Sequence, residues 1–405
     1  MSNRKDNKGR NLHTGESQRK DGTYMYRYTN ERNGKRQTVY AKDLPKLRAK
    51  EKQLARDIGD NILTDSESRK LTVNELFETY MQTRVTADTT RTNYVKMWNN
   101  HIRDDIGNIK VVLLRSSDIK SFYAKLSRAG YRHSTIRLLH TLLCATLELA
   151  VDDDILRKNP AKRMLNSDYG AEAKKKEVLT VPQQDALMEF MRQSNIYNAY
   201  VPMITVMLET AVRCGELIGL TWADVDMEKR ELSVDHQLIY KDYGDGNGYC
   251  FHAGTPKTDA GVRTIPLTQN ACKAFAEQRK LNFMLGRRNE EEIDGYSDFV
   301  FLAKTGRPLM PSAVNNAIYN IIDAYNKQEV AKAKKEHRKA ELIPRISAHS
   351  MRHTACSNMA RKGMNVKVLQ YLMGHANSDM TMDVYTHIAG LEDVKDEVAR
   401  LETAI

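Results

Sequence analysis

Between residues 134 and 151, Ile136, Leu139, Leu142, Leu143, Leu147 and Leu149 recur at helical spacing, with no proline or glycine to interrupt them. An apolar helix of this length needs apolar partners, and the preceding sequence offers them. Residues 72–81 carry Leu76 and Phe77 on one helical face, and Ser116-Ser117 opens a helix that runs through Leu126 and stops at Gly130. The spacing predicts an all-α bundle of four or five helices over residues 70–165. Asn159-Pro160 closes it, and a polar stretch to Lys176 reads as a linker.

The pattern on either side is different. Tyr24, Tyr26 and Tyr28 alternate with Met25 and Arg27, with turn chemistry at Asp21-Gly22 and Asn33-Gly34, so short strands are expected over residues 16–41. A charged helix follows at 43–58, completing a small sheet-plus-helix module over 1–62. Beyond the linker, residues 175–400 mix helices (182–193, 200–212, 269–278, 311–325 and from 350 on) with strands at 232–239, 249–252 and 262–267. The expected fold is therefore multidomain: a small β-sheet-plus-helix module, an all-α bundle and a mixed α+β, mainly helical domain. Residues 327–341, almost wholly Ala, Lys, Glu and Arg, read as a helical extension or a mobile linker without legible chemistry. In the tail, Leu391, Val394, Val398 and Leu401 form a short amphipathic pattern.

Charge singles out the first module. The chain carries a formal +11, and residues 1–60 hold sixteen Lys/Arg against eight Asp/Glu, leaving only +3 for the rest. A polyanionic partner is implied, and aromatics set between basic residues favour a nucleic acid over a merely solvated surface. Candidate contacts are Tyr24, Arg27, Tyr28 and Arg36 in the strands and Arg91 and Lys96 in the bundle, although for the bundle charges taken alone a solvated face is the better reading. The five cysteines are scattered and form no CxxC pair, which fits a reducing cytoplasm. No apolar run reads as a membrane span or a signal-peptide core, so no membrane is expected.

The chemistry lies in the last two hundred residues. Arg213 follows an apolar helical run, where a guanidinium is costly without a partner, and Glu216 three residues on could pair with it. Lys257 sits in Thr-Pro-Lys-Thr-Asp-Ala-Gly, a tight turn between strands. His349 and Arg352 open a helix, His375 follows Gly374 at another helix end, and Tyr385 comes ten residues later. Each alone reads as ordinary structure. Together, two arginines, a lysine and two histidines can fork and neutralise a phosphodiester and move protons, and a tyrosine supplies the nucleophile.

The strings Thr-Ala-Val-Arg-Cys-Gly-Glu-Leu (210–217), Thr-Pro-Lys-Thr (255–258), His-Ser-Met-Arg-His-Thr (349–354), Leu-Met-Gly-His (372–375) and Val-Tyr-Thr-His (384–387) resemble the tyrosine recombinase (lambda integrase-like) family. The layout is most similar to conjugative-transposon integrases, with 1–62 as arm-binding domain, 70–165 as core-binding domain and 175–400 as catalytic domain. The resemblance implies a site-specific recombinase of a mobile element. Arg213 and Arg352 would clamp the scissile phosphate, Lys257 would protonate the leaving 5′ oxygen, and His349 would help move the tyrosine proton. His375 would hydrogen-bond the phosphate, Tyr385 would form a 3′-phosphotyrosyl link, and Glu216 would orient the Arg213 region. It also implies double-stranded DNA with core-type and arm-type sites as partner, a homo-tetramer on that DNA, an accessory excision factor as a further candidate partner, and no metal or other cofactor. The expected location is the bacterial cytoplasm, at the nucleoid when bound to DNA.

Two other readings start from the same residues. A metal-dependent nuclease could use His349 and His353, four apart on one helix face, but the string lacks the Glu of His-Glu-x-x-His and places an arginine between the ligands. A non-catalytic DNA-binding or architectural protein would share the charge and the helices but has no reason to keep the whole catalytic set.

Overall fold

The computed structural model describes residues 4–29, 36–59, 70–172, 177–243, 246, 248–256, 258–289, 291–377 and 382. The chain divides into two compact units, Met1–Lys174 and Lys175–Ile405.

The first unit begins with an antiparallel sheet, β1 (Glu16–Gln18), β2 (Tyr24–Thr29) and β3 (Arg36–Ala41), in that order, followed by helix α1 (Leu44–Gly59). The Asp21-Gly22 turn forms as expected: Gly22 has φ +85, and the Thr23 N–H donates to the Asp21 carboxylate at 3.0 Å. The Asn33-Gly34 turn lies outside the described residues. Register sets the two faces of the sheet. Tyr24 pairs with Ala41, Tyr26 with Val39 and Tyr28 with Gln37, whereas Arg27 pairs with Thr38 and Thr29 with Arg36. Because side chains alternate across a strand, Arg27 and Arg36 share one face and Tyr24 and Tyr28 the other.

That division corrects the expectation for Tyr24. It is 3% exposed and packs with Ala41, Leu44 and Leu47; its hydroxyl donates to Asp6 at 2.9 Å and accepts from Arg10 at 2.8 Å. It is a core residue of the module, not a surface contact. Tyr28 donates its hydroxyl to Gln37 on the same face. Arg27 and Arg36 are exposed.

The bundle comprises α2 (Val73–Thr83), α3 (Asp88–His101), α4 (Ser116–Arg128) and α5 (His133–Asp152). Thr72 and Glu75 form a capping box that fixes the start of α2. Arg115, one residue earlier than expected, is the N-cap of α4, and the Ser116 hydroxyl instead donates to the Pro160 carbonyl at 2.7 Å. At the centre Trp98 stacks on Phe77 with centroids 3.9 Å apart and donates its indole N–H to Asn74 at 2.9 Å. Helix α5 has the length and apolar composition of a membrane span, but Ile136, Leu139, Leu143, Leu147 and Ala150 are buried in the bundle core. The expected linker is shorter than its polarity suggests. Asn159 reaches back to the Cys144 carbonyl and Glu148, Ala161 is fully buried, and Met164, Leu165 and Tyr169 pack on the core, so the bundle extends to about residue 170.

In the second unit, α6 (Val181–Gln193), α7 (Val201–Thr210) and α8 (Cys214–Gly219) lead into β4 (Val225–Asp226), β5 (Glu231–Val234), β6 (Gln237–Lys241), β7 (Cys250–Gly254) and β8 (Arg263–Pro266). There follow α9 (Gln269–Met284), α10 (Pro311–Lys335), α11 (Ala348–Arg361) and α12 (Val366–Met373). The single strand expected at 232–239 is in fact two. Strand β5 sits between β4 and β8, while β6 pairs with β7 in a separate two-stranded sheet. The break falls at His236, which is buried, stacked on Tyr296 at 3.8 Å, and bonded through its ring nitrogens to the Asp235 carboxylate and the Gly219 carbonyl. Helix α8 therefore lies directly against β6, and a Cβ on Gly219 would come within 3.0 Å of the Leu238 nitrogen. Strands β7 and β8 belong to different sheets, so the chain between them is a crossover between sheets and not the tip of one hairpin, although residue 257 itself lies outside the described residues. Residues 327–341 are a packed extension. Helix α10 runs to Lys335, Ala333 is buried, and Glu329 accepts from Arg338 and from the Glu341 N–H.

Candidate active site

The apolar helix α7 ends in an alanine with left-handed backbone, Ala211 at φ 53 and ψ 25. A non-glycine residue is held there only by its surroundings; Ala211 is fully buried, and its carbonyl accepts a guanidinium hydrogen bond. The reversal places Arg213 as N-cap of α8, with Glu216 at the third helical position accepting the Arg213 backbone N–H at 2.8 Å. The capping geometry turns the Glu216 carboxylate, 1% exposed, into the interior.

Arginines from three parts of the chain surround that carboxylate. Arg213 donates Nη1 to Glu216 Oε1 at 2.7 Å and Nη2 to the Gly374 carbonyl at 2.8 Å. Arg263, on β8, donates Nη2 to Glu216 Oε2 at 2.9 Å and Nη1 to Oε1 at 3.3 Å, and reaches the Gly261 carbonyl at 2.8 Å and the Leu372 carbonyl at 2.7 Å. Arg352, from the second turn of α11, is 2% exposed. It donates to the carbonyls of Ala211 and Met373 and lies 3.9 Å from Glu216 Oε2. Helix α12 ends at Gly374 with φ +58, where a Cβ would sit 3.0 Å from Arg263 Nη1 and 3.3 Å from Arg213 Nη1, so any larger residue would be strained there and would crowd both guanidiniums. His375 follows, 6% exposed, tied through its backbone to Gln370.

Burial alone would push the Glu216 carboxyl up, but hydrogen bonds from Arg263 and the nearby charges of Arg263 and Arg213 hold it at about 2. Burial, followed by repulsion from Arg213, pushes the Arg352 pKa down. Burial, then Arg352 and Arg213, lowers His375 to about 4. At neutral pH the imidazole of His375 is thus uncharged and offers one N–H. Three guanidiniums, those of Arg263 and Arg352 buried and that of Arg213 partly exposed, against one buried carboxylate leave a net +2, an arrangement that is costly when empty and suited to an anion.

His349 sits in the first turn of α11, exposed, with its Nε2 3.1 Å from Nε2 of His353 and the two rings nearly perpendicular. Among the described residues, the His/Cys/Asp/Glu groups whose ligand atoms converge are His13 with Glu16 and Glu51, and Asp224 with Asp235 and His236. Neither includes His349 or His353. Lys257 and Tyr385 lie outside the described residues. Of the expected set, then, the fold brings together Arg213, Glu216, Arg352 and His375. Arg91 and Lys96 are exposed on α3, but a five-residue separation puts them about 140° apart around the helix, so they do not form one stripe. Arg91 donates to the Met81 carbonyl at 3.1 Å.

Arg263 was absent from the expected set, yet its signal is in the sequence. In the run Arg263-Thr264-Ile265-Pro266-Leu267 the first, third and fifth positions are buried and the others exposed. An arginine in register with inward apolar residues of a strand must have a buried anionic partner.

The fold has counterparts among DNA integrases of known structure. The Tn1549 transposon integrase, solved in complex with transposon right end DNA, is 30% identical over 82% of this chain and all of that one, with a TM-score of 0.69. A lambda integrase dimer bound to a COC′ core site shares the fold at a TM-score of 0.52 and 14% identity. The profile of the phage integrase family matches residues 177–391, that of the DNA binding domain of tn916 integrase residues 1–58, and that of the phage integrase N-terminal SAM-like domain residues 72–127. The transposase from transposon Tn1545 of Streptococcus pneumoniae is 35% identical, and that from transposon Tn916 of Enterococcus faecalis 34%, each over 98% of this chain and 96% of the relative. The chain belongs to the phage integrase family: it is a tyrosine site-specific recombinase of the conjugative-transposon type.

Proposed function

We propose that this recombinase cuts and rejoins the duplex DNA of a mobile element with Tyr385 as nucleophile and with the buried arginine cluster as its phosphate site. The net +2 around Glu216 carries the reading, since a phosphodiester gains negative charge on becoming pentacoordinate, and cations fixed beforehand stabilise that charge without reorganising. Arg213 and Arg352 clamp the non-bridging oxygens, and neutral His375 donates its N–H to the same phosphate. Tyrosine titrates near pH ~10, so Tyr385 loses its proton during attack, with His349 helping to move it. The tyrosine oxygen bonds to phosphorus, the bond to the 5′ oxygen breaks, and Lys257 supplies the proton that makes a 5′ hydroxyl. The 3′-phosphotyrosyl link keeps the bond energy, and the reverse attack by a 5′ hydroxyl rejoins the strand. On a nicked suicide substrate, whose 5′ fragment diffuses away, a protein–DNA adduct is expected to survive denaturation, with the DNA mapping to the peptide that contains Tyr385. Cleavage with no adduct would point to direct attack by water and sink the reading.

Within the same reading, residues 1–62 bind arm-type sites, 70–165 with the catalytic domain at 175–400 hold core-type sites, and four copies assemble on the DNA, with an accessory factor engaged for excision. The work is done in the bacterial cytoplasm, at the nucleoid. Arg27 and Arg36, which share the face of the sheet opposite α1's packing residue Tyr24, are the groove-facing pair. A fragment of residues 71–405 is expected to cleave a core half-site, to lose a second class of binding site, and to show a shallower fall of affinity with salt on DNA containing that second site. Unchanged footprints and an unchanged salt slope would overturn the arm assignment.

A further inference from the structure

We infer that Arg263 is a positioning residue for strand cleavage, setting the charge and the geometry of the phosphate site without touching DNA. The inference rests on the reading of Arg213 and Arg352 as the phosphate clamp. The Arg263 side chain is fully buried, and its guanidinium is committed to Glu216, Gly261 and Leu372, so it has no route to a substrate.

Its effect comes through those three partners. With Arg213 and Arg352 alone, the Glu216 carboxylate would neutralise one guanidinium and leave the site at +1. Arg263 takes up both Glu216 oxygens, at 2.9 and 3.3 Å, and restores +2. Without it, the carboxylate would draw more strongly on Arg213, whose Nη1 already lies 2.7 Å from Oε1, and pull that side chain off the phosphate. The Gly261 carbonyl ends the crossover that carries Lys257, and the Leu372 carbonyl lies in the last turn of α12 just before His375. One planar fork therefore ties the segments bearing Arg213, Lys257 and His375. Lysine, a point charge on a flexible stem, keeps the cation and loses the fork.

Single-turnover cleavage of a saturating suicide substrate separates chemistry from folding, since amplitude reports the fraction of intact protein and the rate constant reports the reaction. Arg263→Gln is expected to lower the rate constant by about a hundredfold, and Arg263→Lys by about tenfold, in the range of lost preorganised charge, with DNA affinity within about twofold of the parent. A reduced amplitude or melting temperature with an unchanged rate constant in both variants would make Arg263 purely structural and overturn the inference. Arg213→Ala serves as the reference. If it cleaves at the parental rate, the phosphate clamp itself is wrong; if it is inactive while Arg263→Gln cleaves normally, only the role of Arg263 falls.

Discussion

Tyr385→Phe is expected to abolish strand cleavage and the covalent adduct while leaving DNA affinity nearly unchanged. In the proposed mechanism the hydroxyl oxygen is the atom that bonds to phosphorus, so removing it removes the reaction and not merely a contribution to its rate. The ring that remains does little for phosphate binding, which the proposal assigns to the arginine cluster. The control is Tyr371, 52% exposed on α12 in the same domain, whose hydroxyl accepts the Thr264 N–H at 3.1 Å. That tyrosine is occupied in joining α12 to β8, and Tyr371→Phe is expected to retain the adduct. Adduct at parental yield in the Tyr385→Phe protein, measured on the same suicide substrate, would remove Tyr385 from the mechanism.

Arg213→Ala and Arg352→Ala are each expected to slow cleavage by about a hundredfold or more, on the order of 3 kcal/mol for one lost transition-state contact. The two should differ in what else they cost. The Arg213 side chain is 37% exposed, so its removal leaves the fold mostly intact and the melting temperature close to the parent's. Arg352 is buried and satisfies the carbonyls of Ala211 and Met373, so its truncation also leaves two interior acceptors unpaired and lowers the melting temperature. Paired measurements of rate constant and thermal midpoint would show the split. A parental cleavage rate in either alanine variant would exclude that arginine from the clamp.

Most of the secondary structure was legible because helical and strand periods are local. The bundle helices begin and end within a few residues of the positions their apolar spacing and capping residues indicate, as at Thr72 and Gly130. Errors arose where a distant contact overrode a local pattern. Residues 232–239 form a continuous β pattern, yet His236 is drawn to the carbonyl of Gly219 and the chain passes from one sheet to another. The polar stretch after Asn159 looks like a linker, yet Tyr169 and Met164 find the bundle core.

The site divides in the same way. By itself the sequence determined the order and identity of the candidate groups, because Arg213, Lys257, His349, Arg352, His375 and Tyr385, each ordinary alone, together offer the residue types that phosphodiester chemistry needs. It also determined where the basic module lies, since charge is a property of composition. Only the tertiary structure decided that Glu216 is the common partner of Arg213, Arg263 and Arg352, and that Tyr24 faces a core while Arg27 and Arg36 face outward. A strand or helix pattern states which face of an element is buried. Which buried charge meets which is set by the packing of α7, α8, α11, α12 and β8 against one another, and that packing joins residues far apart along the chain.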